Sequence, residues 1–207
     1  MEKKKVYWVI AEVILLIVIL QCIYEVSTFA IQIHYDSSLF VEKMIGMCMM
    51  LVLTIAVLFY SKLRNQNLDV LPKKFSPRYI FISSIISILY IATPSNYIIG
   101  ISAIITLIYS SIVTPLYEEL LFRGYIWNRM KAAISNEVYV YGRNILLFGV
   151  WHIGYMIPQI TERNYEAVLM KIIAGIGYGA ILGFVRSKTK NCYSTFLLHG
   201  FLNLFMV

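Results

Sequence analysis

The sequence predicts an all-α fold: a polytopic membrane helix bundle of about seven transmembrane helices with a cytoplasmic N-terminus. Three observations predict it. Hydrophobic residues make up 59% of 207 positions and charged residues 14%, with a mean hydropathy of +0.73, a balance too apolar for a soluble domain. Several apolar runs approach or exceed the ~20 residues a helix needs to cross a bilayer. Lysines and arginines gather at the ends of those runs, as topology signals do. The net charge of +7 is therefore assigned to orientation in the lipid bilayer, and nucleic acid is set aside as a partner.

The elements follow in order. Helix one covers about residues 6–24 and is retained, because no small-residue cleavage site follows its apolar stretch. Glu12 within it, like Glu25 and Lys171 elsewhere, is expected to snorkel to a helix end. A polar connection at 30–42 carries His34, Asp36 and Glu42. Helix two covers about 43–60, and its methionines are packing residues. Residues 61–78 are polar and basic, with Asp69 as the one acid. Helix three, about 79–92, is short and ends at a turn, Pro94-Ser95-Asn96.

Helix four starts near Tyr97 and carries Glu118 and Glu119. Pro115 is expected to kink it one turn before that pair, and it continues as an amphipathic piece to about residue 134. Helix five covers about 139–156. Helix six covers about 165–185, where Gly175, Gly177, Gly179 and Gly183 allow neighbours to approach closely. Helix seven covers about 193–207. Cys22, Cys48 and Cys192 are far apart without a CxxC, which argues against a disulfide framework or thiolate zinc site. Basic residues put the N-terminus, 61–78, Arg123 to Arg143 and Arg186 to Lys190 inside. They put 30–42, 93–96 and the C-terminus outside.

The chemistry gathers at one depth. His152 lies nine residues beyond Arg143, and His199 nine beyond Lys190; helix rise sets both imidazoles ~13 Å from those cytoplasmic anchors. Helix four runs the other way, and Glu118 lies ~16–20 Å from its basic end, level with the histidines. An intramembrane carboxylate is costly unless paired or set in a polar cavity. Glu119 and Arg123, one turn apart, supply such a pair, which leaves Glu118 free. Phe148 lies one turn from His152 and Asn203 one turn from His199. The amide of Asn203 suits an oxyanion or a bound carbonyl.

Glu118-Glu119-x-x-x-Arg123, Phe148-x-x-x-His152 and His199-x-x-x-Asn203 resemble, in order and in placement, the three motifs of the CAAX-protease and bacteriocin-processing family, also called CPBP or Abi. The resemblance covers about residues 75–207. Within a single membrane domain, 1–207, it implies a variable N-terminal two-helix addition (1–60) and a catalytic core (75–207). It implies an intramembrane endopeptidase in a bacterial plasma membrane. Its substrate is a membrane-associated peptide or protein tail, and its role is pheromone or bacteriocin processing, or bacteriocin self-immunity. By the resemblance, Glu118 activates water with help from His152, His199 and Asn203 steady the oxyanion, and Glu119, Arg123 and Phe148 support them. The cavity is expected to open toward the cytoplasm. The cofactor is either none or Zn²⁺. If zinc, the ligands are Glu118, His152 and His199, although no HExxH is present.

Two alternatives belong to other classes. A non-catalytic immunity or scaffold protein of the same fold tolerates conservative changes at these residues. A small transporter or proton relay needs Glu118 and shows gradient-dependent transport.

Overall fold

The structure, a computed structural model, describes residues 2–33, 38–93 and 100–204. His34 and Asp36, the turn at 94–96, the start of helix four near Tyr97 and the end of helix seven lie outside the described residues. The described residues form helices α1 (Glu2–Gln32), α2 (Leu39–Leu63), α3 (Pro77–Ala92), α4 (Ile101–Lys131), α5 (Glu137–Trp151), α6 (Ile157–Thr161), α7 (Tyr165–Thr189) and α8 (Cys192–Asn203). No strand occurs among them. Residues 6–31 of α1, 40–63 of α2, and all of α4 and α7 are long and apolar enough to cross a bilayer. The chain is thus a multi-pass membrane protein. α3, α5 and α8 have 16, 15 and 12 residues, so length alone carries four of the seven crossings expected.

Several boundaries differ from expectation for local reasons. α1 runs on to Gln32 because its polar residues find partners along the helix. Gln21 donates to Glu25 at 2.7 Å, and the Thr28 hydroxyl donates to the Tyr24 carbonyl at 2.8 Å. α2 starts at Leu39 because the Ser38 hydroxyl accepts from the Val41 N–H and caps it. α5 stops at Trp151 rather than at 156, with His152 as its C-cap residue. A short 3₁₀ turn, Gly154–Met156, and α6, with Pro158 in its first turn, follow. Gly154 sits where any Cβ would collide with the Gln21 side chain of α1, so α1 fills the space a longer α5 would need.

α4 is the centre of the bundle. Residues 117–127 are all buried, as expected of a helix surrounded by other helices. Val9 and Val13 of α1, Met50, Leu53 and Val57 of α2, and Phe148 and Trp151 of α5 share its core. α5 and α7 pack through small residues. A Cβ at Gly179 would stand 3.2 Å from Ile145 Cα, and one at Gly183 2.8 Å from the Tyr141 ring. Gly177 faces open space, so three of the four glycines form the close face and the fourth does not.

Ion pairs tie one end of the bundle. Glu12 accepts from Arg129 at 2.6 Å, Arg64 at 3.1 Å and Tyr125 at 3.0 Å. It joins α1 to α2 and α4 instead of snorkelling. Arg129, expected as a topology charge, is its main partner. The 61–78 segment is also docked. The Cys192 and Tyr193 N–H groups donate to the Asp69 and Val70 carbonyls, both at 2.9 Å. Arg186 reaches the Asp69 carboxylate at 3.1 Å.

Gly200 of α8 meets α4 so closely that a Cβ there would stand 2.3 Å from the Ser111 carbonyl oxygen. Gly200→Ala is expected to cost about 1–3 kcal/mol by overpacking. A lowered thermal midpoint of the protein in detergent checks it.

Candidate active site

The site starts with how α4 accommodates Pro115. Proline lacks an N–H, and its ring crowds the carbonyl four residues back, here that of Ser111. α4 meets this with a π turn at Tyr109–Val113. The carbonyls left over accept from neighbouring helices. Tyr90 OH of α3 donates to the Ser111 carbonyl at 2.6 Å, and Asn203 Nδ2 of α8 to the Ser110 carbonyl at 2.8 Å. A second π turn, Leu120–Ile126, follows the glutamates. Its Phe122 carbonyl accepts from Asn144 Nδ2 of α5, and its Arg123 carbonyl from Arg186 Nε of α7, each at 2.8 Å. Single π turns occur at functional sites, and here two of them bracket Glu118 and Glu119. Asn144→Leu removes one of two hydrogen bonds to the Phe122 carbonyl, which keeps the Trp127 N–H, with an expected cost of about 0.5–1.5 kcal/mol, again read from the thermal midpoint.

The two carboxylates have different surroundings. Glu119 Oε1 accepts from Arg123 Nη1 at 2.9 Å and meets His199 Nδ1 at 2.9 Å. Both members of the Glu119–Arg123 pair are fully buried, and the Arg123 guanidinium lies 4.0 Å from the Phe148 ring centre. Glu118 Oε1 accepts from Trp151 Nε1 at 3.1 Å and from Tyr155 OH at 3.2 Å. Its other oxygen stands 3.9 Å from His199 Nε2. His199 is therefore fixed at Nδ1 by one glutamate and presents Nε2 toward the other.

His152 is fixed in a similar way. Its Nδ1 lies 2.7 Å from the Phe148 carbonyl, an acceptor, so Nδ1 carries the proton and Nε2 is the free nitrogen. The Phe148 ring packs edge-on against His152 at 4.9 Å and His199 at 6.0 Å. Asn144, Phe148 and His152 succeed one another at four-residue spacing and so share one face of α5, the face toward α4.

Glu118, His152, His199 and Asn203 line one cavity of about 560 Å³. Glu119 and Phe148 lie behind it, in contact with His199 and His152, and Arg123 pairs with Glu119. Glu25, Glu42, Lys43 and Lys171 also line it, so Glu25 and Lys171 face the cavity rather than snorkel at helix ends. The cavity does not lie at the end where Arg64, Arg129 and Arg186 gather. The cavity lies among the C-terminal part of α1, the N-terminal parts of α2 and α7, and the C-terminal part of α8. The opposite end, with Arg64, Arg129 and Arg186, is closed by the Glu12 and Asp69 ion pairs.

Among the described residues no three His, Cys, Asp or Glu side chains are gathered to hold a metal ion. Nδ1 of each cavity histidine is taken by Glu119 or by the Phe148 carbonyl. Nε2 of both histidines is left toward the cavity, as a zinc-ligating histidine would also present it, while Glu118, His152 and His199 are not gathered as a ligand set. Sequence reasoning missed Trp151 and Tyr155. Their signal was the four-residue spacing across His152, which puts two polar-tipped aromatics on one face.

A family model described as Rce1-like, type II CAAX prenyl endopeptidase, matches residues 100–205, which contain every one of these site residues. No curated protein and no solved structure matches the chain.

Proposed function

The chain belongs to the Rce1-like family of type II CAAX prenyl endopeptidases, and from that premise we propose that it hydrolyses a peptide bond in a membrane-associated peptide or protein tail through a glutamate-activated water. The observation that supports this best is the 3.9 Å between Glu118 Oε2 and His199 Nε2. That gap is too long for a direct hydrogen bond and suits one water held by both atoms. Trp151 and Tyr155 occupy Oε1 and leave Oε2 as the basic oxygen. Glu118 takes a proton from the water, and His152 Nε2 accepts its second hydrogen bond. As the water oxygen bonds to the scissile carbonyl carbon, charge moves to the carbonyl oxygen. His199, through Nε2, and the second N–H of Asn203 steady that oxyanion. The proton on Glu118 then passes to the leaving nitrogen as the C–N bond breaks. Glu119, Arg123 and Phe148 are positioning residues.

Around this site we place seven crossings, with α3, α5 and α8 as the short ones and the N-terminus in the cytoplasm. The core at 75–207 carries the chemistry. The 1–60 addition supplies part of the cavity wall through Tyr24 and Glu25. The setting is a bacterial plasma membrane, and the role is processing of a peptide pheromone or bacteriocin, or self-immunity to one.

The test compares membrane proteins and secreted peptides from cells making the native chain with those from cells making Glu118→Gln. A peptide terminus present only with the native chain supports the endopeptidase. Identical profiles with surviving resistance to a bacteriocin leave a binding protein. With a substrate in hand, Trp151→Phe removes one of two donors to Glu118 Oε1. Turnover is expected to fall about tenfold, the equivalent of ~1.4 kcal/mol, with little change in KM.

A further inference from the structure

We infer that the site is reached from the extracytoplasmic side of the membrane, so that the segment it cleaves is an exported peptide or the outward-facing part of a membrane protein. This rests on the endopeptidase reading for its substrate, but its geometry stands independently.

The first observation is the distribution of charge. Of 18 lysines and arginines, Lys43, Arg163 and Lys171 belong to the cavity end, and Arg123 is buried in mid-helix. The remainder lie in or near the opposite end. Contacts define that end as one surface. Glu12 joins the first turns of α1 to Arg64 after α2 and Arg129 near the end of α4. Glu137, opening α5, pairs with Lys131 at 2.6 Å and with Lys190, just past α7, at 3.2 Å. Asp69 pairs with Arg186. Basic clusters of this kind stay in the cytoplasm.

The second observation is where the cavity lies. Its lining comes from Tyr24 to Thr28 of α1, Glu42 to Met50 of α2, Lys171 to Tyr178 of α7, and His199 and Asn203 of α8. All of these but Tyr178, one residue past the middle of α7, lie in the half of their helix away from the basic end. Acids at the cavity end, Glu25, Glu42, Glu162 and Glu166, match its few bases, so this end carries no cytoplasmic signal. Between cavity floor and cytoplasm stand the buried Glu119–Arg123 pair and the fully buried Phe122, Tyr125 and Ile126. A peptide entering from the cytoplasm would have to displace that core. One entering from the other side meets a polar rim of Glu42, Lys43 and Lys171.

Accessibility tests this without any assay of activity. Cys22 and Cys48 are exposed and Cys192 is buried. Replacing the first two with alanine therefore gives a quiet background for single cysteines, and that background with no added cysteine is the control. Glu42→Cys marks the cavity rim, Ser110→Cys its wall and Lys74→Cys the basic end. A charged, membrane-impermeant thiol reagent applied to intact cells is expected to label Glu42→Cys and Ser110→Cys, and to label Lys74→Cys only after lysis. Labelling of Lys74→Cys in intact cells, or of Glu42→Cys and Ser110→Cys only after lysis, overturns the inference. Either result holds whether or not the Glu118→Gln comparison reveals a cleaved substrate, so the two readings fail separately.

Discussion

Glu118→Gln is expected to reduce peptide hydrolysis by about 10²–10⁴-fold or more, the range contributed by a general base, with the fold intact. The amide keeps an oxygen for Trp151 and Tyr155, which hold Oε1 at 3.1 and 3.2 Å, so the side chain stays in place. It loses the oxygen able to take a proton where His199 Nε2 approaches to 3.9 Å. Single-turnover cleavage of an identified substrate, beside the thermal midpoint of the same variant, separates lost chemistry from lost structure. Unchanged cleavage would remove Glu118 from the mechanism.

Arg123→Leu is expected to have the largest effect on stability. It strands the Glu119 carboxylate, bonded at 2.9 Å and fully buried, at an expected cost of about 3–5 kcal/mol. The double variant Glu119→Leu/Arg123→Leu removes both charges. Replacing a buried pair with apolar residues of similar volume is often neutral, so the double variant should regain much of that loss. It should still be inactive, because His199 Nδ1 has lost its partner. Recovery of the thermal midpoint without recovery of cleavage is the pattern that checks both roles of Glu119. Recovery of both would show that His199 needs no such partner.

The candidate site was legible because a few polar residues stand out in apolar helices. Glu118, Glu119, His152 and His199 had no other plausible depth, and four-residue spacing located Arg123, Phe148 and Asn203. What sequence could not show were contacts between helices far apart in the chain. Glu12 and Arg129 are separated by 117 positions and looked like unrelated surface charges. Arg186 read as a loop charge, yet it is buried and caps the Arg123 carbonyl. Glu119 was paired correctly with Arg123, but its second partner, His199, lies 80 residues away. Which end of the bundle the cavity meets was not legible for the same reason. Which end of a bundle is sealed depends on ion pairs between helices, and no single apolar run records them. Proline in α4 was read as a kink, whereas four side chains from four other helices accept the burden of its two π turns.

Those four contacts also impose an order of assembly. A bare carbonyl in hydrocarbon costs several kcal/mol, and α4 enters the membrane with its Ser110 carbonyl awaiting a partner encoded downstream. Tyr90 is already made when α4 emerges, Asn144 and Arg186 follow, and Asn203 arrives with the same helix that brings His199. The glutamates therefore lie beside no histidine until the surrounding helices have closed around them. A chain halted during synthesis or cut before α8 carries the acidic pair as inert cargo, and competence for hydrolysis becomes a report that insertion has finished.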